Sequence, residues 1–245
     1  MKKLITGLII FFIHLNIFSQ VLRLNDFLPT INGELVSHTY YSLSYVEEYE
    51  QAEWVFYEIK KERILGLASR TNNFRSDEKV SSNSATIYDY KGSGYDRGHL
   101  APAADFSFSN TAMNESFYMS NISPQYPSFN RGIWKNLESL IRKWGANQSI
   151  YVVTGPILNE CSYSIGTNNV CVPKYFYKVI YEPIEKKMIA FILSNGTGKY
   201  KLSHYVTSVD IVESKTGINF FSVLEDKLEQ KLESEIIKEN WIWNE

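Results

Sequence analysis

The sequence predicts an α+β fold on three observations. Runs rich in β-branched and aromatic residues recur at 54–59, 150–154, 175–181 and 188–193, as strands require. Over 130–144 the apolar residues Ile133, Trp134, Leu137, Leu140, Ile141 and Trp144 return at helical spacing, which predicts an amphipathic helix. From Thr207 onward the strand pattern gives way to two further helical stretches.

Taken in order, the chain opens Met1-Lys2-Lys3, continues with an apolar run from Leu4 to Phe18, and then reads Ser19-Gln20. A basic start, a short apolar core and a small residue before a polar one describe a secretory signal peptide, residues 1–19. An uncleaved anchor is the weaker alternative, because the run is short for a span and contains His14 and Asn16. Cleavage makes the product secreted or periplasmic, with no membrane segment left. Residues 20–245 read as one domain, undivided by a Pro/Gly/Ser-rich linker, with 20–35 as an extended N-terminal arm.

Trp54 to Ile59 is the first expected strand, and Lys91-Gly92-Ser93-Gly94 a turn. Thr111 to Tyr118 is expected to be a short helix. Cys161 and Cys171 lie ten residues apart across a polar loop, a spacing that suits a disulfide worth roughly 3 kcal/mol in the chain-entropy model; two reduced thiols are the alternative. Thr207-Ser208-Val209-Asp210 fits a capping box opening a helix that stops at Gly217, and 224–239 reads as a net acidic amphipathic helix.

The composition excludes a globally basic, nucleic-acid-coating protein. Net charge is −2, and loss of Lys2 and Lys3 with the signal leaves 23 basic against 27 acidic residues, or −4. Any grip on a polyanion therefore comes from a local groove, with Arg70, Arg75, Arg97, Arg131, Lys135 and Arg142 as candidates, about half of them expected to be plain surface charges. The abundant Tyr and Phe are scattered along the strands, where core and sheet packing is the expected role.

The segment Tyr95-Asp96-Arg97-Gly98-His99-Leu100-Ala101-Pro102-Ala103-Ala104-Asp105, with Asn121, Asn130 and Glu138 downstream, carries the chemistry. Phosphodiester hydrolysis needs a base to deprotonate water, positive charge facing the phosphoryl oxygens, and an ion to stabilise the departing oxygen. His99 can supply the base, Arg97 the charge, and Gly98 a position free of Cβ; the alternative for His99 is an ordinary packed or surface histidine. On a continuous helix Asn130, Trp134, Glu138 and Arg142 form one row, and Glu138 leans back toward Asn130. The alternative for Glu138 and Arg142 is an ordinary surface pair.

Phe117-Tyr118-Met119-Ser120-Asn121-Ile122-Ser123-Pro124-Gln125 and Phe129 to Glu138, following the His99 block, strongly resemble the DNA/RNA non-specific endonucleases, the endonuclease G-like family of the ββα-metal superfamily. The resemblance runs from about Trp54 to Phe221, through Tyr151 to Pro156 and Val172-Pro173-Lys174-Tyr175-Phe176-Tyr177-Lys178-Val179. It implies a mainly antiparallel central sheet flanked by helices, with a ββα-metal motif at the active site. It also implies His99 as general base, Asn130 as the direct protein ligand of a Mg²⁺ for which Mn²⁺ can substitute, and Glu138 as holder of metal-bound waters. Asn121 would bond within the site, Arg97 would face the phosphate, and Arg70 and Arg142 stand where the family often has arginines. Phe117 is a departure, since some relatives carry an active-site Asn there. The implied activity is cleavage of DNA and RNA with little sequence preference, leaving 5′-phosphates. The rival reading is a non-catalytic nucleic-acid-binding module on the same fold; a secreted toxin with a dedicated protein inhibitor would be the same enzyme.

Overall fold

The structure, a computed structural model, describes residues 24–63, 66 and 68–243; the expected signal peptide lies outside them. In chain order the strands are β1 (Glu34–Ser37), β2 (Tyr41–Val46), β3 (Gln51–Ile59), β4 (Asp96–His99), β5 (Ile122–Gln125) and β6 (Ile150–Pro156). They continue as β7 (Cys161–Ile165), β8 (Val170–Pro173), β9 (Tyr175–Glu182), β10 (Lys187–Ser194) and β11 (Val206–Thr207). The helices are α1 (Asn110–Glu115), α2 (Lys135–Asn147), α3 (Val209–Thr216) and α4 (Asp226–Ser234).

Seven strands form one antiparallel sheet in the order β1-β2-β3-β6-β9-β10-β11, and two hairpin-like pairs, β4-β5 and β7-β8, stand apart from it. Alternation along the central strands gives the sheet two apolar faces. Val55, Tyr57, Val152, Phe176 and Ile180 meet Trp134, Leu137 and Ile141 on one side. Trp54, Phe56, Val153, Tyr177 and Val179 meet Val209, Val212 and Leu232 on the other. The sheet is thus covered by α2 on the face that carries β4, and by α3 and α4 on the opposite face.

The strands at 54–59, 150–154, 175–181 and 188–193 are present and somewhat longer than expected. β1 begins inside the segment read as an extended arm, at Glu34, and a short helical turn at Leu24–Phe27 precedes it. The Thr207-based cap is displaced by one residue: Ser208 caps α3 by accepting from the Ile211 amide, and Gly217 ends the helix with φ 72°. The last helix stops at Ser234, short of residue 239, because Glu235 is extended. Cys161 and Cys171 are disulfide-bonded across the β7-β8 hairpin, with Cα atoms 5.7 Å apart.

One difference bears directly on function. The helix expected from Asn130 to Trp144 is not continuous: a widened turn over Phe129–Trp134 departs from helical dihedrals at Gly132 (φ −105°, ψ −113°), and regular helix begins only at Lys135. Asn130 therefore does not share one row with Glu138.

Candidate active site

β4 pairs with β5 so that Gly98 faces Ser123 and His99 faces Ile122. A Cβ at Gly98 would come within 2.2 Å of the buried Gln125 side chain, so any larger residue would have to displace that side chain. Just past the strand, Asn121 fixes the backbone. Its Oδ1 accepts from the Ala101 amide at 2.9 Å, its Nδ2 donates to the Ala101 and Ser116 carbonyls, each at 2.9 Å, and its own carbonyl accepts from Leu100 N. With that amide fully engaged and buried, Asn121 sets the geometry of the loop and presents nothing to a substrate.

His99 ends β4 with only 8% of its surface exposed, and its Nε2 has no hydrogen-bond partner. The ring packs against two aromatic rings, Phe74 at 5.5 Å and Phe117 edge-on at 4.9 Å, which also meet each other edge-on at 4.9 Å. Beyond them lie two guanidinium groups: Arg97 is 4.2 Å from the centre of Phe74, and Arg70 4.9 Å from that of Phe117. Burial, then the charges of Arg70 and Arg97, push the imidazole down to a pKa of about 3, so it is neutral at physiological pH. Phe117, the departure from the family pattern, thus builds the apolar wall that desolvates His99.

At the other end of β4, Asp96 receives three bonds. Asn130 Nδ2 donates to its Oδ2 at 2.9 Å, Arg131 Nε to the same oxygen at 2.8 Å, and Arg131 through a terminal nitrogen to Oδ1 at 2.6 Å. Burial alone would raise the Asp96 pKa, but the bonds from Arg131 and Asn130 outweigh it and hold the carboxyl below its ordinary range. A carboxylate only accepts, so the Asn130 amide must turn Nδ2 toward Asp96 and its Oδ1 away. That oxygen has no protein donor among the described residues.

Glu138, in the first turn of α2, lies in a charged cluster under the same face. Arg142 Nε pairs with Asp105, whose side chain is 1% exposed, and Tyr57 donates to the other Asp105 oxygen at 3.2 Å. Lys178, fully buried in the middle of β9, donates to the Leu100 carbonyl at 3.2 Å and to Thr154 Oγ1 at 3.0 Å, with its ammonium 4.5 Å from the centre of a Trp134 ring. Burial raises Glu138 to a pKa of about 7 despite the pull of Lys178, while burial lowers Lys178 to about 8. Arg70 is close enough to feel Glu138 and to act on His99, so it links the two groups.

The structure therefore gathers Arg70, Arg97 and His99 at one end and Glu138 beside Arg70, and ties Asn130 to β4 through Asp96. It turns Arg142 inward onto Asp105. Among the other basic candidates, Arg75 donates to the Asn73 and Asn114 carbonyls and covers Tyr118, and Arg131 is committed to Asp96. Arg70, Arg97 and Lys135 remain exposed. Lys178 and Asp105 stand in the motif blocks but had no role assigned from sequence, although a lysine inside an otherwise apolar strand run was a visible signal.

The family model for DNA/RNA non-specific endonucleases matches residues 20–227. The chain is 35% identical to human mitochondrial endonuclease G over 211 residues, 81% of this chain and 67% of that protein. It is 32% identical to nuclease C1 of Cunninghamella echinulata var. echinulata over 226 residues, 84% of this chain and 89% of the other. Among solved structures, one of the EndoG/EndoGI complex, which addresses the mechanism of EndoG inhibition, superposes with a TM-score of 0.75 at 29% identity, covering 84% of this chain and 92% of that one.

Proposed function

The chain belongs to the DNA/RNA non-specific endonuclease family, and on that footing we propose that it is an exported, Mg²⁺-dependent endonuclease that hydrolyses DNA and RNA with little sequence preference and leaves 5′-phosphates. The observation that carries this reading is His99: a buried, neutral imidazole flanked by two exposed arginines at the end of β4. The free Nε2 lone pair can accept a proton from water, and the Arg70 and Arg97 charges that hold the ring down to about 3 weaken it as a base until phosphoryl oxygens engage those guanidinium groups.

The donor set fits a hard divalent cation. Asn130 Oδ1 is a neutral oxygen held in one orientation, and Glu138 is a carboxylate that burial makes reluctant to ionise without more positive charge nearby. Asn130 would hold the ion and Glu138 its waters. When bound, Mg²⁺ neutralises charge developing on the leaving oxygen. Asp96 positions Asn130, Asn121 positions the loop after His99, and Lys178 supports both that loop and the charge on Glu138.

Export through residues 1–19, and one nuclease domain after them, belong to the same proposal. The test is incubation of purified mature protein with plasmid and with RNA, in Mg²⁺ and in chelator. Cleavage of both substrates in Mg²⁺ alone is the expected result; a protein that binds nucleic acid but cuts neither would be the non-catalytic module.

A further inference from the structure

On the sheet face opposite His99, α3 and α4 bring carboxylates together. Asp210 and Glu213 are three residues apart on α3, and Glu229 and Glu233 four apart on α4, so each pair shares one side of its helix. One oxygen each of Asp210, Glu213 and Glu233 lies within 4.8 Å of the others. This alone is a common surface feature.

The state of Glu233 sets the cluster apart. The residue is only 7% exposed, and its Oε1 is buried without any hydrogen-bond partner. Among the described residues no Lys, Arg or His forms an ion pair with Asp210, Glu213 or Glu233. Glu213 is held in place by the Phe220 amide, which donates to its Oε1 at 2.9 Å, while Asp210 stays exposed. A buried carboxylate beside two further acids, with one oxygen that has no donor and with no counter-charge, is costly unless it takes up a proton, toward which burial and the neighbouring acids push it by raising its pKa to about 8, or a cation binds there.

We propose that Asp210, Glu213 and Glu233 form a second metal site, one that takes Ca²⁺ and clamps α3 to α4. The donors are all oxygen, with neither imidazole nor thiolate, which selects a hard cation. Carboxylates from two helices and an open side at Asp210 suit the flexible six- to eight-oxygen shell of Ca²⁺, completed by water, better than the tight octahedron of Mg²⁺. The site is structural, shares no residue with the nuclease site, and does not depend on the nuclease reading.

The test uses the full mature protein carrying Asn130→Ala, which removes the proposed ligand of the active-site ion. After chelation, added Ca²⁺ should raise its Tm by about 5 °C and Mg²⁺ by much less. Calorimetric titration should find one Ca²⁺ equivalent, weakened at least about tenfold by Glu233→Gln. The exposed Asp210→Asn, which cannot disturb the core, should weaken binding in the same direction. In chelator, Glu233→Gln should melt above its parent, since an uncompensated buried carboxylate is gone. No Ca²⁺-dependent shift in the Asn130→Ala protein, or a shift that survives both acidic-cluster substitutions, would overturn the proposal; a Gln variant stabilised in chelator with no Ca²⁺ binding in its parent would mean that Glu233 is simply protonated.

Discussion

Asn130 and Asp96 are joined by a 2.9 Å bond in which the amide of Asn130 donates to the carboxylate of Asp96. The bond links the turn before α2 to the first residue of β4, and so places Asn130 on the same strand-built frame as His99. It also decides which end of the amide is free. Two bonds from Arg131 hold Asp96 in turn, so the orientation of a single neutral oxygen rests on a three-residue network at the surface.

From this network we expect two separable defects in Mg²⁺ use. Asn130→Ala should lose nearly all activity at any Mg²⁺ concentration, because no other protein oxygen is aimed by Asp96. Asp96→Asn keeps the shape but lets either amide rotate and frees Arg131, so it should raise the Mg²⁺ needed for half-maximal rate by roughly tenfold while preserving much of the maximal rate. Rates against Mg²⁺ concentration decide it; equal responses in the wild type and Asp96→Asn would show that Asp96 does not orient the ligand.

His99→Ala should lower turnover on plasmid at least about 10²-fold with substrate binding largely intact, since it removes the proposed base and no positive charge. His204, in a short surface turn against Tyr200, is the suitable control. His38 is not, because it is buried and bonded to Asp77 at 2.9 Å, so its loss would damage folding instead. Near-normal cleavage by the His99 variant would remove the histidine from the mechanism.

Glu138 links activity to a stability cost of known sign. Its folded pKa is raised from 4.5 to about 7, so its contribution favours the fold below pH 4.5 and is lost as pH rises through 7. In chelator, Glu138→Gln should match wild type near pH 4 and be more stable by about 1–3 kcal/mol at pH 8, while needing more Mg²⁺ for activity. Urea unfolding at the two pH values measures this. A wild type that gains on the variant as pH rises would contradict the assigned burial.

The His99 block was legible because it is contiguous: Asp96 to His99 is one strand, and its chemistry reads off four neighbouring residues. The strands at 54–59, 150–154, 175–181 and 188–193 were legible for the same local reason. The relation of Asn130 to Glu138 was not, because 3.6-residue spacing continues through Gly132 in sequence while the backbone does not. β2 was hidden by its serines, Ser42 and Ser44, which read as polar although both are buried, Ser44 bonding to Glu53. Arg142 could be placed on its helix but not aimed, since its partner Asp105 lies 37 residues away.

Binding should weaken steeply with salt, and the slope should depend on particular arginines. Arg70 and Arg97 are exposed beside His99, whereas Arg75 is spent on the Asn73 and Asn114 carbonyls. Alanine at Arg70 or Arg97 should each reduce the slope of log affinity against log salt by about 1, and Arg75→Ala should leave it unchanged. Titrations with a labelled duplex in chelator, so that nothing is cut, give the slopes; an effect confined to Arg75 would put the groove elsewhere.

Lys178 provides the sharpest test of how the sheet supports the site. Its ammonium donates to the carbonyl of Leu100, the residue after His99, and its positive charge opposes the effect of burial on Glu138 more than any other group does. Lys178→Met keeps the length and apolar stem but removes both effects, so turnover should fall roughly tenfold. Loss of that charge must also raise the Glu138 pKa further. If ionised Glu138 is needed, the acid limb of the pH–rate profile should then move up by about one unit in the variant. A lysine that mattered only for packing would lower the rate at every pH without moving the limb. An unshifted limb beside a reduced rate would therefore confine Lys178 to holding the loop, and separate it from the charge on Glu138.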